Sequence, residues 1–143
     1  MQPVNTQHQN IQYLISANYQ RMMAFEQAAF VCDESALKSF FAARADESEA
    51  NVNELCACLN ISTAEAETYA AQQRGIAEKV AALYTGRKNT VKILQSAQLL
   101  EKTILGWYKS TIKEIAALPK EMAHIVANQY KALGEAEMQL QYL

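Results

Sequence analysis

Residues 90–118, TVKILQSAQLLEKTILGWYKSTIKEIAAL, decide the fold because their apolar side chains recur every three or four residues. This spacing places side chains on one face of an α-helix and predicts a long helix over 90–118. Two adjacent rows predict a wide buried face: Val91, Leu94, Gln98, Glu101, Leu105, Tyr108, Ile112 and Ile115, and beside them Ile93, Ala97, Leu100, Ile104 and Trp107. Glu101 interrupts the first row, and a carboxylate that faces a core needs a partner, a proton or a metal.

Three other stretches share this helical spacing and predict long helices over 6–32, over 35–59 and after Pro119. The first has the apolar row Ile11, Ile15, Asn18, Met22, Phe25, Ala29 and Cys32. Asp33 or Ser35 is expected to cap the second helix. A weaker helix, rich in Ala and Gln, is predicted over 63–84, and Ser62 with Glu65 forms a capping box at its start.

The connections between the long helices predict how these helices are arranged. The first and last connections are short, which predicts two antiparallel helix pairs. Residues 60–89 form one long crossover between the second and third bundle helices, and a single crossover is typical of ferritin-like four-helix bundles. We therefore expect an all-α protein with one ferritin-like domain over residues 1–143.

Composition excludes several classes of partner and location. The chain has 143 residues, of which 50% are hydrophobic and 20% charged, and its net charge is −2. We therefore expect a globular protein without affinity for nucleic acid or an anionic membrane. No apolar run could span a bilayer and the N-terminus lacks a signal-peptide pattern, so the expected location is cytoplasmic. Cys32, Cys56 and Cys58 are expected to have no redox role.

Several short patterns resemble an uncharacterised bacterial family, a domain of unknown function with a ferritin-like four-helix bundle. The patterns are LKSFF at 37–41 followed by Glu47 and by EL at 54–55, Phe25 with Ala28 and Ala29, Glu101 with Tyr108, and LP at 118–119 followed by Gln129. The resemblance implies the fold over nearly the whole chain, but it implies no reaction. Some members of that family have a histidine about eight residues after the glutamine, where this chain has Glu137.

Bundles that bind two metal ions hold them with inward carboxylates and Glu-x-x-His pairs. The candidate metal ligands of this chain are Glu26, Glu47, Glu101, Gln129 and Glu137. This oxygen-only set would bind iron or manganese. Alternatively, Glu101 is structural and bonds Asn18 or Gln129 across the bundle.

The expected Glu-x-x-His pairs are missing from the middle of the bundle helices. The residue three after Glu47 is Ala50 rather than histidine. Glu121 and His124 have the right spacing, but they lie at the start of the last helix. There, favourable interaction with the helix dipole explains the glutamate better than a role as metal ligand.

Two functions fit these observations, and no reaction is assigned to the chain. The first is a non-catalytic bundle that acts through its surface or by forming a homo-oligomer, with the apolar face of Tyr69, Ile76, Val80 and Leu83 as the pairing surface. The alternative is a degenerate or carboxylate-only di-metal site with oxygen or peroxide chemistry. The sequence has no Gly-rich phosphate loop, nucleophile elbow or basic-aromatic stripe.

Overall fold

A computed structural model of the protein describes residues 6–72 and 90–143. These residues form five α-helices and one short 3-10 helix, with no strand among them. The helices are α1 (Thr6–Val31), α2 (Ser35–Leu59), α3 (Thr63–Gln72), α4 (Thr90–Ile112) and α5 (Lys120–Gln141), with the 3-10 helix (Ile115–Ala117) between the last two. The prediction of an all-α protein is confirmed. The rest of the predicted helix over 63–84 lies outside the described residues.

The pairs of contacting residues give the direction of each long helix. Arg21 of α1 contacts Glu101 of α4, whereas the earlier Asn10 contacts the later Glu114, so α1 and α4 are antiparallel. The same reasoning makes α5 antiparallel to α2, since residue 129 contacts residue 51 and residue 139 contacts residue 44. Helices α1 and α2 are antiparallel as well, since residue 18 contacts residue 51 and residue 21 contacts residue 47. Helices α1 and α5 therefore run one way and α2 and α4 the other.

This up-down-down-up order makes the consecutive long helices α2 and α4 parallel. Two parallel helices of this kind need a connection that spans the length of the bundle, and the crossover predicted over 60–89 would supply it, although residues 73–89 lie outside the described part of the chain. The first part of that stretch is α3, which packs against α1 and α2. In each of the two helix pairs, α1 with α2 and α4 with α5, the connection is short.

The start of α2 differs from the prediction. Glu34, rather than Asp33 or Ser35, is the N-cap residue, and its side chain makes no capping hydrogen bond. Lys38 acts instead on the preceding helix: its Nζ donates to two carbonyl oxygens in the last turn of α1, at 2.8 and 3.4 Å. These carbonyls lack intrahelical partners, so Lys38 stabilises the corner between α1 and α2.

The end of α2 and the start of α3 are stabilised by local hydrogen bonds. Asn60 adopts the left-handed conformation, with φ 55°, which asparagine tolerates better than most residues. The N–H of Ile61 then donates to the carbonyl oxygen of Cys56 at 3.0 Å. The hydroxyl of Ser62 accepts from the N–H of Glu65 at 3.3 Å, which confirms the serine half of the predicted capping box.

Helix α4 ends at Ile112, short of the predicted end at residue 118. The chain leaves the α conformation in steps, through a turn at residues 113–114 and the 3-10 helix, before it reaches Pro119. Leu118 precedes Pro119 and has extended backbone angles, because a proline ring disfavours the α conformation in the residue before it. Pro119 then forms the N-cap of α5, one position before its predicted place in the first turn.

The buried face of α4 lies between the two predicted rows. Val91, from the first row, is 61% exposed, and Leu105 and Trp107 are only half-buried. The residues that are buried on this helix are Ile93, Ser96, Ala97, Leu100, Glu101, Ile104, Tyr108 and Thr111. A helix that packs against two neighbours buries the strip between its apolar rows more completely than either outer edge. None of the described helices is both long and apolar enough to cross a bilayer.

Candidate functional site

The middle of the bundle contains a buried ion cluster made of Arg21, Glu47 and Glu101. Arg21 Nε and Nη2 donate to the two carboxylate oxygens of Glu101 at 2.6 and 2.8 Å. Its Nη1 donates to Glu47 Oε1 and to Ser48 Oγ, both at 2.9 Å. The three charged residues come from α1, α2 and α4, so the ion cluster joins three helices.

Because Arg21 and Glu101 are both buried, the pKa of each depends on the charge of the other. Arg21 is 0% exposed and Glu101 is 2% exposed. Burial lowers the pKa of Arg21, but the carboxylates of Glu101 and Glu47 outweigh it and hold that pKa above its ordinary value. Burial raises the pKa of Glu101, and the Arg21 guanidinium opposes that shift. The pKa of Glu101 stays above its ordinary value, and the Arg21 guanidinium is the main group that favours its charged form.

Aromatic and basic groups complete the surroundings of Arg21. Its guanidinium carbon lies 5.1 Å from the centre of the Phe25 ring, which itself stacks on Phe41 at 5.5 Å. The half-buried Arg44 lies next to Glu47, with Nε 3.9 Å from Glu47 Oε2. Two guanidinium groups thus balance the two carboxylates in charge.

A second polar layer, the amide–phenol layer, lies one helical turn from the ion cluster and consists of Asn18, Asn51, Tyr108 and Gln129. Asn18 Nδ2 donates to the Tyr108 hydroxyl at 2.7 Å, and that hydroxyl donates to Gln129 Oε1 at 2.6 Å. Asn51 Nδ2 donates to Asn18 Oδ1 at 3.0 Å. This layer connects all four long helices, and burial raises the pKa of Tyr108, which keeps the phenol neutral.

Ser48 links the two layers. Its hydroxyl accepts from Arg21 and donates to Asn18 Oδ1 at 3.2 Å. Gln129 Nε2 extends the network outwards to Glu54 Oε1 at 3.2 Å. A buried network whose members are all paired is rigid and holds helices in one register. Among the described residues, two buried side-chain atoms lack a hydrogen bond, Ser16 Oγ and Arg44 Nε.

The structure brings together two of the five predicted metal ligands, Glu47 and Glu101. Gln129 belongs to the amide–phenol layer. Glu137 is buried, but it accepts from Gln141 Nε2 at 2.8 Å in its own helix. Glu26 is exposed on α1. In residues 6–72 and 90–143, no three His, Cys, Asp or Glu side chains are placed to hold one metal ion.

The ion cluster does not suit a divalent metal ion. Both oxygens of Glu101 already accept hydrogen bonds from Arg21, and a metal at Glu47 would lie beside that positive guanidinium. Manganese and ferrous iron need several oxygen or nitrogen ligands, and the cluster offers two carboxylates. The predicted site of iron or manganese stays a prediction, and the arrangement of charges favours an arginine in that place.

The structural alternative for Glu101 named Asn18 or Gln129 as its hydrogen-bond partner, and the structure shows a different partner. Glu101 is buried and paired, but it bonds Arg21, whereas Asn18 and Gln129 bond Tyr108. The predicted core row of α1 contained Met22, which is only half-buried. The series Asn18, Arg21, Phe25 and Ala28 has the same three-and-four spacing, and this was the one signal that pointed to Arg21.

The Glu-x-x-His pair lies away from the ion cluster. Glu121 and His124 are exposed at the start of α5 and line an open cleft with Ile115 and Lys120. His124 Nε2 lies 3.2 Å from Asn128 Nδ2. The prediction that this pair is not part of a four-helix site agrees with its position.

Comparisons of the chain with models of known protein families, with curated proteins and with solved structures found no match.

Proposed function

We propose that this chain is a ferritin-like helical bundle that carries out no reaction of its own and acts by self-association. The up-down-down-up order with one crossover supports the ferritin-like assignment, because simple up-down bundles have only short connections. The resemblance to the bacterial family supports the same fold. A cytoplasmic location and the absence of a nucleic-acid partner remain predictions from composition.

The state of the buried polar groups supports a non-catalytic role. A general acid, base or nucleophile has to reach its substrate with a proton or lone pair free to react. Glu101 and Tyr108 are the buried ionisable groups nearest the centre, and both use their oxygens in hydrogen bonds within the network. Their paired geometry is that of a structural network.

The exposed apolar residues carry the self-association proposal. The upper end of the bundle is the end at which α1 and α5 finish and α2 and α4 begin. Of the eight large hydrophobic residues exposed in the described chain, seven lie between the ion cluster and this end: Met23, Phe30, Val91, Leu99, Met138, Tyr142 and Leu143. Phe30 and Tyr142 are 80% and 84% exposed. This excess of exposed apolar side chains in one half of the bundle favours an interaction surface there.

The charges of the upper end favour a second copy of the chain as the partner. Acidic Asp33 and Glu34 are exposed there beside basic Lys38 and Lys92. Surfaces that bind anionic membranes or nucleic acid are dominated by Lys and Arg. A surface with both signs can pair with itself across a two-fold axis, the commonest symmetry of soluble oligomers. The pairing surface predicted from Tyr69, Ile76, Val80 and Leu83 lies outside the residues whose side chains are described.

Sedimentation velocity over a concentration series tests this proposal. We expect the wild type to change from its monomer mass of 16.0 kDa to twice that mass as concentration rises. Phe30→Ser should weaken dimerisation at least about tenfold, because exposed aromatic residues dominate interface energetics. Its fold should be unchanged, since Phe30 is exposed in the monomer.

Tyr13→Ser is the matched control, because Tyr13 is the remaining exposed large hydrophobic residue among those described, and it lies on the other half of the bundle. This variant should dimerise as the wild type does. A wild type that stays at 16.0 kDa at every concentration contradicts the proposal. Equal weakening by both substitutions would place the interface elsewhere and would also contradict it.

A further inference from the structure

We infer that Arg21 is the resident cation of the ion cluster and takes the place that a metal ion takes in carboxylate bundles. Those bundles direct carboxylates from facing helices at a central cation. Here Glu47 of α2 and Glu101 of α4 approach one guanidinium from α1. The inference does not depend on self-association, because it concerns the interior of a single chain.

The positions of the oxygen acceptors around Arg21 match the shape of a guanidinium group. Its planar fork meets both oxygens of Glu101, at 2.6 and 2.8 Å, and this two-point contact is the preferred arrangement of arginine and carboxylate. Nη1 donates on the opposite side to Glu47 Oε1, Ser48 Oγ and the carbonyl oxygen of Arg44, the last at 3.3 Å. The acceptors thus surround the group in the directions of its N–H bonds.

A lysine or a spherical ion would not satisfy the same set of acceptors. Metal ligands converge on one point, whereas these oxygens contact three different nitrogen atoms of Arg21. A divalent ion that entered beside the guanidinium would also face its positive charge at contact distance. The wild-type protein is therefore expected to bind neither Mn²⁺ nor Fe²⁺ at Glu47 and Glu101.

Removal of the side chain should leave a cavity shaped for the missing ion. In Arg21→Ala, the carboxylates, the Ser48 hydroxyl and the Phe25 ring would still line the space. Free guanidinium has the same plane and the same N–H directions, so it should bind there and restore part of the lost stability. Urea has a similar shape without the charge, and Na⁺ has the charge without the shape.

Thermal unfolding of Arg21→Ala with low concentrations of guanidinium chloride, urea or NaCl tests the inference. We expect guanidinium to raise the Tm of this variant by about 3 °C, while urea and NaCl at equal concentration do not. Arg44→Ala is the matched control, because it removes a second guanidinium beside Glu47 whose side chain is 21% exposed rather than enclosed. Guanidinium should not raise the Tm of Arg44→Ala or of the wild type.

Calorimetric titration of the wild type with Mn²⁺ and, without oxygen, with Fe²⁺ gives a second test that does not depend on the folding of a variant. We expect no stoichiometric binding. Binding of one or two ions per chain that Glu101→Gln abolishes would overturn the inference, because it would show that the carboxylates hold metal in the presence of Arg21. A folded Arg21→Ala variant that responds to guanidinium as Arg44→Ala does would overturn it as well.

Discussion

Tyr108 shows how single atoms connect the helices of this bundle. Its hydroxyl accepts from Asn18 and donates to Gln129, and the residue is fully buried. Tyr108→Phe keeps the ring but leaves Gln129 Oε1 without that donor. We expect the free energy of unfolding to fall by about 1–3 kcal/mol, the typical effect of an unpaired buried polar group. Chemical denaturation measures this change.

Tyr142→Phe is the control for that experiment, because Tyr142 is 84% exposed. Its effect on the free energy of unfolding should stay within about 0.5 kcal/mol. Equal stability of both phenylalanine variants would show that the amide–phenol layer adds nothing to stability.

The charge of Glu101 depends on Arg21, which gives a pH prediction. In Arg21→Met, burial and the nearby Glu47 carboxylate would raise the pKa of Glu101 further, and only Arg44 would still oppose the shift. The folded variant would then keep a proton that the unfolded chain releases above the ordinary carboxyl pKa of 4.5. Its stability should therefore fall as pH rises from 4.5, by at most about 1.4 kcal/mol per pH unit.

Urea unfolding of Arg21→Met and of the wild type over a pH series measures this slope. The double variant Arg21→Met with Glu101→Gln lacks the titrating group and should lose the extra slope. Parallel curves for Arg21→Met and the wild type would mean that Arg21 does not control the ionisation of Glu101.

At the residue scale, the sequence indicated that Glu101 is unusual, but it did not indicate that Arg21 is its partner. Glu101 was recognisable because a carboxylate interrupts an otherwise apolar row. Arg21 was not, because arginine is rarely buried and Met22 offers an apolar side chain one position further on. The spacing of apolar residues cannot show which of two neighbouring positions at the edge of a buried face is the buried one. The choice between residues 21 and 22 therefore depends on where α4 packs against α1.

At the scale of elements, Asn60 ends α2 in the left-handed conformation. Asn60→Val should lower the free energy of unfolding by about 1–2 kcal/mol, because a β-branched residue is strained there. Asn60→Gly should be neutral or slightly stabilising, since glycine adopts this conformation without strain. Thermal unfolding of both variants measures the difference, and equal effects would contradict the assigned turn.

The ends of the helices were predictable where a local signal decided them. The S-x-x-E pattern marked the start of α3, and α2 was predicted over the residues that it occupies. The end of α4 was placed too late because its apolar spacing continues into the 3-10 helix. The contact of Lys38 with the end of α1 was not predicted, for a different reason. Lys38 belongs to α2, and its side chain reaches the last turn of α1 only because the chain reverses direction between the two helices.

At the scale of the whole molecule, the direction of α4 is the feature that separates this fold from a simple up-down bundle. Spin-label distances test it. With labels at Phe30→Cys and Val91→Cys, which lie at the upper end, the distance should be short. With labels at Phe30→Cys and Lys109→Cys, it should be clearly longer, because residue 109 lies about 27 Å further along the helix axis than residue 91, the rise of 18 helical residues. The reverse order would contradict the up-down-down-up arrangement.

The four long helices of the described residues were predictable from their apolar spacing, which the sequence gives directly. The network that joins the helices was not, because it pairs residues up to 90 positions apart in the chain. Such pairings depend on the register between helices, and no local pattern encodes that register. The distribution of Phe30, Val91 and Tyr142 at one end likewise became visible only once the helix directions were known.

Arg21 and Glu101 form one unit that joins α1 to α4. A double-mutant cycle measures the coupling between these two residues. Arg21→Met and Glu101→Leu should each destabilise the protein by about 3 kcal/mol, because each removes the main ion-pair partner of a buried ionisable group. The double variant should lose only about 3–4 kcal/mol rather than the sum of about 6 kcal/mol, which corresponds to a coupling energy of about 2–3 kcal/mol from denaturant unfolding. Single effects that simply add in the double variant would contradict the claim.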